Sequence, residues 1–168
     1  MMLGLSLSTY TIIHVIISLI AIAAGFIAVF GMLTGNRMAS WTAIFLVTTV
    51  LTSVTGFGFP FDHFLPSHAV GALSLVFLAV ALLAVYVKHL AGAWRWIYVV
   101  SAIVALWFNV FVLIAQSFMK ISVLKALAPT QSEPSFAIAQ TAALLVFAVL
   151  VVAAAIRFHP QRMAYARR

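Results

Sequence analysis

Five long apolar runs, Tyr10 to Leu33, Trp41 to Gly58, His68 to Val87, Ile97 to Met119 and Phe136 to Ile156, contain no Asp, Glu, Lys or Arg. A helix rises about 1.5 Å per residue, so each run is long enough, the second barely, to cross the ~30 Å hydrocarbon core of a bilayer. A soluble domain of this size cannot hide so much apolar surface: of 168 residues 66% are hydrophobic and 7% charged, and the mean hydropathy is +1.24. The expected fold is all-α, a polytopic bundle of five transmembrane helices forming one domain over residues 1–168, with a basic tail over 157–168. No basic residue precedes the first run, and it is far longer than a secretory h-region, so it reads as a retained span. Gly35-Asn36, Pro60, Pro66, Gly92, Pro129 and Pro134 punctuate the short connections.

The charges then orient the bundle. With five spans, Arg37, Lys88, Arg95, Arg157, Arg162, Arg167 and Arg168 fall on one side and Lys120 and Lys125 on the other. The positive-inside rule makes the first side cytoplasmic, leaving the N-terminus, Asp62 and Glu133 outside. Trp41, Tyr86, Trp94, Trp96 and Tyr98 gather near the same inner boundary, where amphipathic rings prefer to lie. A net charge of +7 and a pI near 10.7 raise the question of nucleic acid. The bases, however, are strung along helix ends and the tail, with no foldable polar face to carry them, and no nucleic-acid partner is expected. The expected partners are the lipid bilayer itself and a second copy or another membrane protein. The absence of cysteine excludes disulfides, thiolate metal sites and paired-cysteine redox chemistry.

Polar residues are distributed unevenly with depth. His14 and Ser18 lie in the outer half of the first run, and Thr48, Thr49, Thr52, Ser53 and Thr55 in the middle and outer part of the second. His68 opens the third, above Ser74. In the fourth, Asn109, Gln116 and Lys120 recur at spacings of 7 and 4, which places them on one helical stripe, and Gln140 and Thr141 stand at similar depth in the fifth. Ala21 to Leu33, Leu75 to Val85 and Ala142 to Ile156 carry no polar side chain. Since lipid offers polar groups no partner, those at one depth must meet one another or water. His14, Ser18, Thr52, Thr55, His68, Asn109, Gln116, Lys120 and Gln140 are therefore the candidate lining of an outer cavity. Each also has an ordinary role open to it, as back-bonding hydroxyl or interhelical glue. His14, Ser18, Ala21, Gly25 and Ala28 share one face, small-sided toward the inside, suited to close helix contact.

Two histidines near one face raise further chemistry. His14 and His68 are a pair that would ligate the iron of haem b from two helices, while Asp62, His63 and His68 are candidate ligands for a divalent metal. Neither spacing is specific, and no cofactor is expected. No nucleophile–base pair, phosphate loop or carboxylate dyad is visible, so the reading leans away from an enzyme. Gly56-Phe57-Gly58-Phe59-Pro60-Phe61 ends the second run in alternating rings and turn residues, which either fold at the interface to cover the bundle mouth or, as the preferred reading, anchor in lipid. Ser122 to Ala128 predicts an interfacial turn or two, and Thr130 to Ser135 a helix start with Thr130 or Ser132 as cap and Glu133 in the first turn.

Gly56 to Phe61, Trp94-Arg95-Trp96, Asn109-Val110-Phe111-Val112 with Gln116, and Leu127 to Pro134 together resemble a group of uncharacterised small bacterial inner-membrane proteins, over about Thr42 to Phe158. The resemblance implies a multi-pass protein of the bacterial inner membrane and brings no activity, cofactor or partner with it. The expected function is non-catalytic, either binding a small amphiphile or lipid in an outer-leaflet cavity or serving as a subunit of a membrane complex. A channel or transporter for a small solute, and a haem or quinone oxidoreductase using His14 and His68, are the alternatives.

Overall fold

The computed structural model describes residues 6–60 and 66–159. Among them there is no strand, and the helices are α1 (Leu7–Leu33), α2 (Ala39–Gly56), α3 (Pro66–Leu82), α4 (Trp94–Lys120), α5 (Ser122–Leu127) and α6 (Pro134–Arg157). A π-helical turn over Leu83–Val87 continues α3. With that turn included, five helices are long and apolar enough to cross a membrane, at the places where the sequence predicts them. Asp62, His63 and most of the basic tail lie outside the described residues.

Local chemistry sets the helix ends. Ser6 caps α1 by accepting from the Thr9 N–H at 3.2 Å. At α6 the cap is neither Thr130 nor Ser132: Glu133 itself is the extended cap residue, and Pro134 opens the helix where its missing N–H costs nothing. The Glu133 carboxylate folds backward instead of entering the first turn. Its Oε1 accepts from the Thr130 N–H (3.1 Å) and hydroxyl (2.9 Å), and its Oε2 from the Ser132 N–H (3.1 Å). Desolvation would raise its pKa, but these hydrogen bonds together outweigh it and hold the carboxyl below its ordinary value. At the far end of α3, the Lys88 N–H reaches back to the Leu83 carbonyl (2.9 Å) and the Leu90 N–H to that of Ala84 (2.9 Å). His89 and Leu90 take left-handed backbone there, which buries Leu90 and seats the Lys88 ammonium 5.4 Å from the Trp94 ring.

Packing is organised around α4, which touches α1, α2, α3 and α6, whereas among the described residues α6 rests mainly on α4 and α1, with Ser135 donating to the Leu127 carbonyl of α5 at 2.7 Å. Half of the most apolar window of α4 is buried, against 6% of that of α6, so α4 is the axis and α6 an outer member. Leu46, Leu78, Val99, Ile103 and Leu106 are fully enclosed around that axis. The small-sided stripe of α1 faces inward: Ala21, Ala24, Gly25 and Ala28 are all buried. Gly25 marks the closest approach, because a Cβ built on it would lie 2.5 Å from Leu106 Cδ1 and 3.0 Å from the Phe45 ring. In a lipid environment such contacts, more than the expulsion of water, bind helix to helix.

Gly25→Ala should therefore destabilise the bundle by about 1–3 kcal/mol through overpacking. Gly56→Ala, whose Cβ would meet nothing nearer than His14 Cε1 at 3.8 Å, should have much less effect. Steric-trapping or denaturant unfolding in detergent, with the two variants side by side, measures the difference.

Candidate functional site

A stripe of hydroxyls runs along the buried face of α2. Thr42, Thr49 and Ser53 recur at spacings of 7 and 4, and all three are buried. Each meets a different residue across a helix interface. The Tyr98 hydroxyl of α4 lies 3.3 Å from Thr42 Oγ1, which itself donates to the Arg37 carbonyl at 3.0 Å. Asn109 Nδ2, also on α4, donates to Thr49 Oγ1 at 3.3 Å. Ser53 Oγ donates to Ser74 Oγ of α3 at 3.2 Å. One turn higher, His14 Nδ1 of α1 lies 2.8 Å from Thr55 Oγ1. Because the Thr55 hydroxyl donates to the Leu51 carbonyl at 2.6 Å, it accepts from the imidazole, which places the proton on Nδ1. Tyr10 donates to the Thr55 carbonyl at 2.8 Å, and a Cβ on Gly58 would collide with that phenol.

The aromatic run after α2 turns inward. Phe57 stacks on the buried His68 ring at 5.5 Å, and Phe59 stands edge-on to both Tyr10 and His14 at 5.1 Å. The lipid-anchor reading of these two rings is thus corrected: short connections leave the ends of α1 and α3 close to α2, and the rings fill the wedges between them. Phe61 lies outside the described residues.

Of the nine residues expected to line one outer cavity, the structure joins His14 to Thr55 directly and sets Ser18 beside them, its hydroxyl donating back to the His14 carbonyl at 2.7 Å. Asn109 is buried against Thr49. Gln140 donates from Nε2 to the Phe111 carbonyl at 3.1 Å, a clasp between α6 and α4. Thr52 has a buried hydroxyl with no protein partner. His68 sits on Phe57, across α2 from His14. Gln116 and Lys120 are exposed, although they share a stripe with Asn109. The reason is length: α4 rises ~40 Å, and its last turns outrun the helices that enclose Asn109. Gln131 of the following loop, with left-handed backbone, donates to the nearby Ala115 carbonyl at 2.7 Å. Among the described residues no three His, Asp or Glu side chains converge as metal ligands; Asp62 and His63 lie outside them.

Sequence reasoning passed over Thr42 and set Tyr98 among the interfacial rings; the structure instead buries Tyr98 in the bundle against Thr42, and its surroundings extend to the opposite end of the bundle. There Arg95 Nη1 donates to the carbonyls of Ala155 (3.1 Å) and Phe158 (2.5 Å), which satisfies the end of α6, and its guanidinium lies 4.9 Å from the Trp96 ring. Phe158 is fully buried and tilts against Tyr98 at 5.9 Å. The spacing of Thr42, Thr49 and Ser53 carried the signal for this stripe, by the same rule that picked out Asn109 and Gln116 on α4.

Between its two clasps, Gln140 at one end and Arg95 at the other, α6 stands off from α4. The gap is a groove of about 160 Å³, lined by Val104 and Trp107 of α4 and by Leu144, Phe147, Ala148 and Val151 of α6, with Ile103 at its floor. Every lining side chain is a hydrocarbon or an aromatic ring. Phe147, on the inner side of the groove, is itself buried, with its ring 6.1 Å from that of Phe26 of α1. Comparison with family models, curated proteins and solved structures returns no match, so the functional reading rests on this geometry. The fold and site define an all-α bundle of five membrane-length helices, its buried polar groups largely paired across interfaces and an apolar groove on one flank.

A double-mutant cycle on Thr49→Ala and Asn109→Ala should return a coupling of about 0.6 kcal/mol, and no more than ~1.7, the range found for hydrogen bonds between membrane helices. Additive losses in unfolding free energy would show that the two side chains act independently.

Proposed function

We propose that this chain is a non-catalytic integral membrane protein that binds the hydrocarbon chain of a lipid or related amphiphile, and that the groove between α4 and α6 is the binding site. The observation that carries the reading is the groove's uniformly apolar lining on a helix whose outward face is apolar apart from Thr141, with Ile138, Leu145, Val149 and Val152 all more than half exposed. An acyl or isoprenoid chain is the ligand that such a surface meets inside a bilayer. The polar residues expected to line an outer cavity are for the most part spent on pairs or exposed, which moves the proposed site from the outer end to the flank. The orientation belongs to the same proposal: seven basic residues on the Arg95 side against two on the Lys120 side favour the cytoplasm for that side and the outside for the N-terminus, and the sequence resemblance adds a bacterial inner membrane as the setting.

Trp107 provides the test, because it lines the groove directly. In a chain that keeps it and carries Trp41→Phe, Trp94→Phe and Trp96→Phe, bilayers of lipid brominated in mid-chain should quench its fluorescence strongly. Ala148→Phe, which fills the groove, should relieve that quenching. Quenching that is weak from the start, or indifferent to Ala148→Phe, defeats the groove reading. Topology is checked separately. A C-terminal fluorescent fusion should be bright and a C-terminal alkaline phosphatase fusion inactive; the reverse pattern overturns the orientation.

A further inference from the structure

The groove has a direction, and its direction selects a ligand. It spans Ile103 to Trp107 on α4 and Leu144 to Val151 on α6, so it begins near the middle of both helices and extends only toward the Arg95 end. Its nearest residues to that end are Ile103 and Val151. At about 1.5 Å per residue they lie roughly 12 Å from Arg95 and 9 Å from Arg157 along their respective helices. Half of a bilayer's hydrocarbon core is ~15 Å deep, so the groove occupies one leaflet and the two arginines stand at that leaflet's boundary.

The surface between them is continuous. Trp96, Val100, Val104 and Trp107 follow one another at spacings of 4, 4 and 3 on α4, which keeps them on one face, and Trp96 and Val100 are 46% and 39% exposed. Trp96 also carries Arg95 over its ring. Arg95 Nη1 is engaged by the two carbonyls of α6, but a guanidinium has five N–H donors in a planar fork suited to phosphate. Arg157, in the last turn of α6, is exposed at the same depth but, six residues beyond Val151, lies about 120° around the helix from it and so off the groove's face. An apolar channel that rises from Arg95 and an interfacial tryptophan matches one kind of molecule: a negatively charged headgroup at the boundary joined to a chain that runs toward the midplane.

Resting on the reading of the groove as a hydrocarbon site, we propose that its occupant is an anionic phospholipid of the Arg95-side leaflet, with its chain between α4 and α6 and its phosphate at the free N–H donors of Arg95. Charge complementarity at the mouth, absent from the groove itself, selects the headgroup.

The test uses the full chain with Trp107 as its single tryptophan, in nanodiscs; Trp96→Phe keeps an aromatic ring beneath Arg95. Brominated phosphatidylglycerol is diluted into unbrominated phosphatidylcholine, and the brominated label is then exchanged to the choline lipid. Phosphatidylglycerol should be preferred at Trp107 by roughly fivefold for each basic residue near the headgroup. Arg95→Gln, whose amide can still donate to an α6 carbonyl, should lower the preference by about that factor, Arg157→Gln, off the groove's face, should lower it clearly less, and raised salt should weaken it too. A lone tryptophan placed by Val149→Trp on the outer face of α6, in a chain with Trp107→Phe, should report the bulk lipid ratio. Strong quenching of Trp107 by both lipids alike would overturn the headgroup proposal and leave the groove standing. Weak quenching by both would remove the groove and this proposal together. A preference of equal size at the Val149 position would assign it to the general basic surface and overturn the specific site.

Discussion

In hydrocarbon a polar group that lacks a partner has no water to fall back on, and that penalty shapes the bundle more than any single contact. It is met largely on α2, the shortest and least apolar of the five long helices. Its hydroxyls are distributed so that one pairs with α1, one with α3 and two with α4. The helix is therefore bonded on three sides at three depths. Each such bond contributes little by itself, yet a rotation of α2 by one residue would break all of them at once, so they specify its angle more than they add stability.

The same reasoning explains why the flank of the molecule is so different from its centre. α4 is enclosed by four partners and can bury Tyr98, Ser101 and Asn109 because each finds an acceptor or donor within reach. α6 rests mainly on α4 and α1 and carries almost nothing polar along its middle, so side-chain-to-carbonyl clasps near its ends and the packing of Phe147 on Phe26 hold it. Between those ties the seam with α4 is an open, apolar groove. It is this opening that the proposed hydrocarbon chain would fill.

Much of the fold was legible before any coordinates, because the length and polarity of an apolar run answer directly to the thickness of a membrane. The five spans and the small-sided face of α1 follow from that rule and from helical periodicity. The pairing of polar groups was less legible. Depth can be read along one helix, but the azimuth of a neighbour cannot, so residues at one level were expected to meet in one place when α2 in fact stands between His14 and His68. Gln116 illustrates a second limit. Its stripe was right and its enclosure was not, since enclosure depends on where other helices end. The groove left no trace in any one segment, because it arises from the spacing of two helices separated by α5 and a loop.

The peripheral seat of α6 bears on how the molecule is made. Chains are inserted from the N-terminus onward, and helices that are already in the bilayer associate before the last one arrives. By then α1 to α4 have closed their polar pairs among themselves, since none of the four hydroxyl pairs along α2 requires α6. α6 joins a body whose polar pairs along α2 do not involve it, and its docking joins side chain to carbonyl near its ends. The seam between α4 and α6 is thus the one that closes with lipid beside it. A molecule caught there during assembly would be built in as a structural component, counted among the parts of the protein from its first moment.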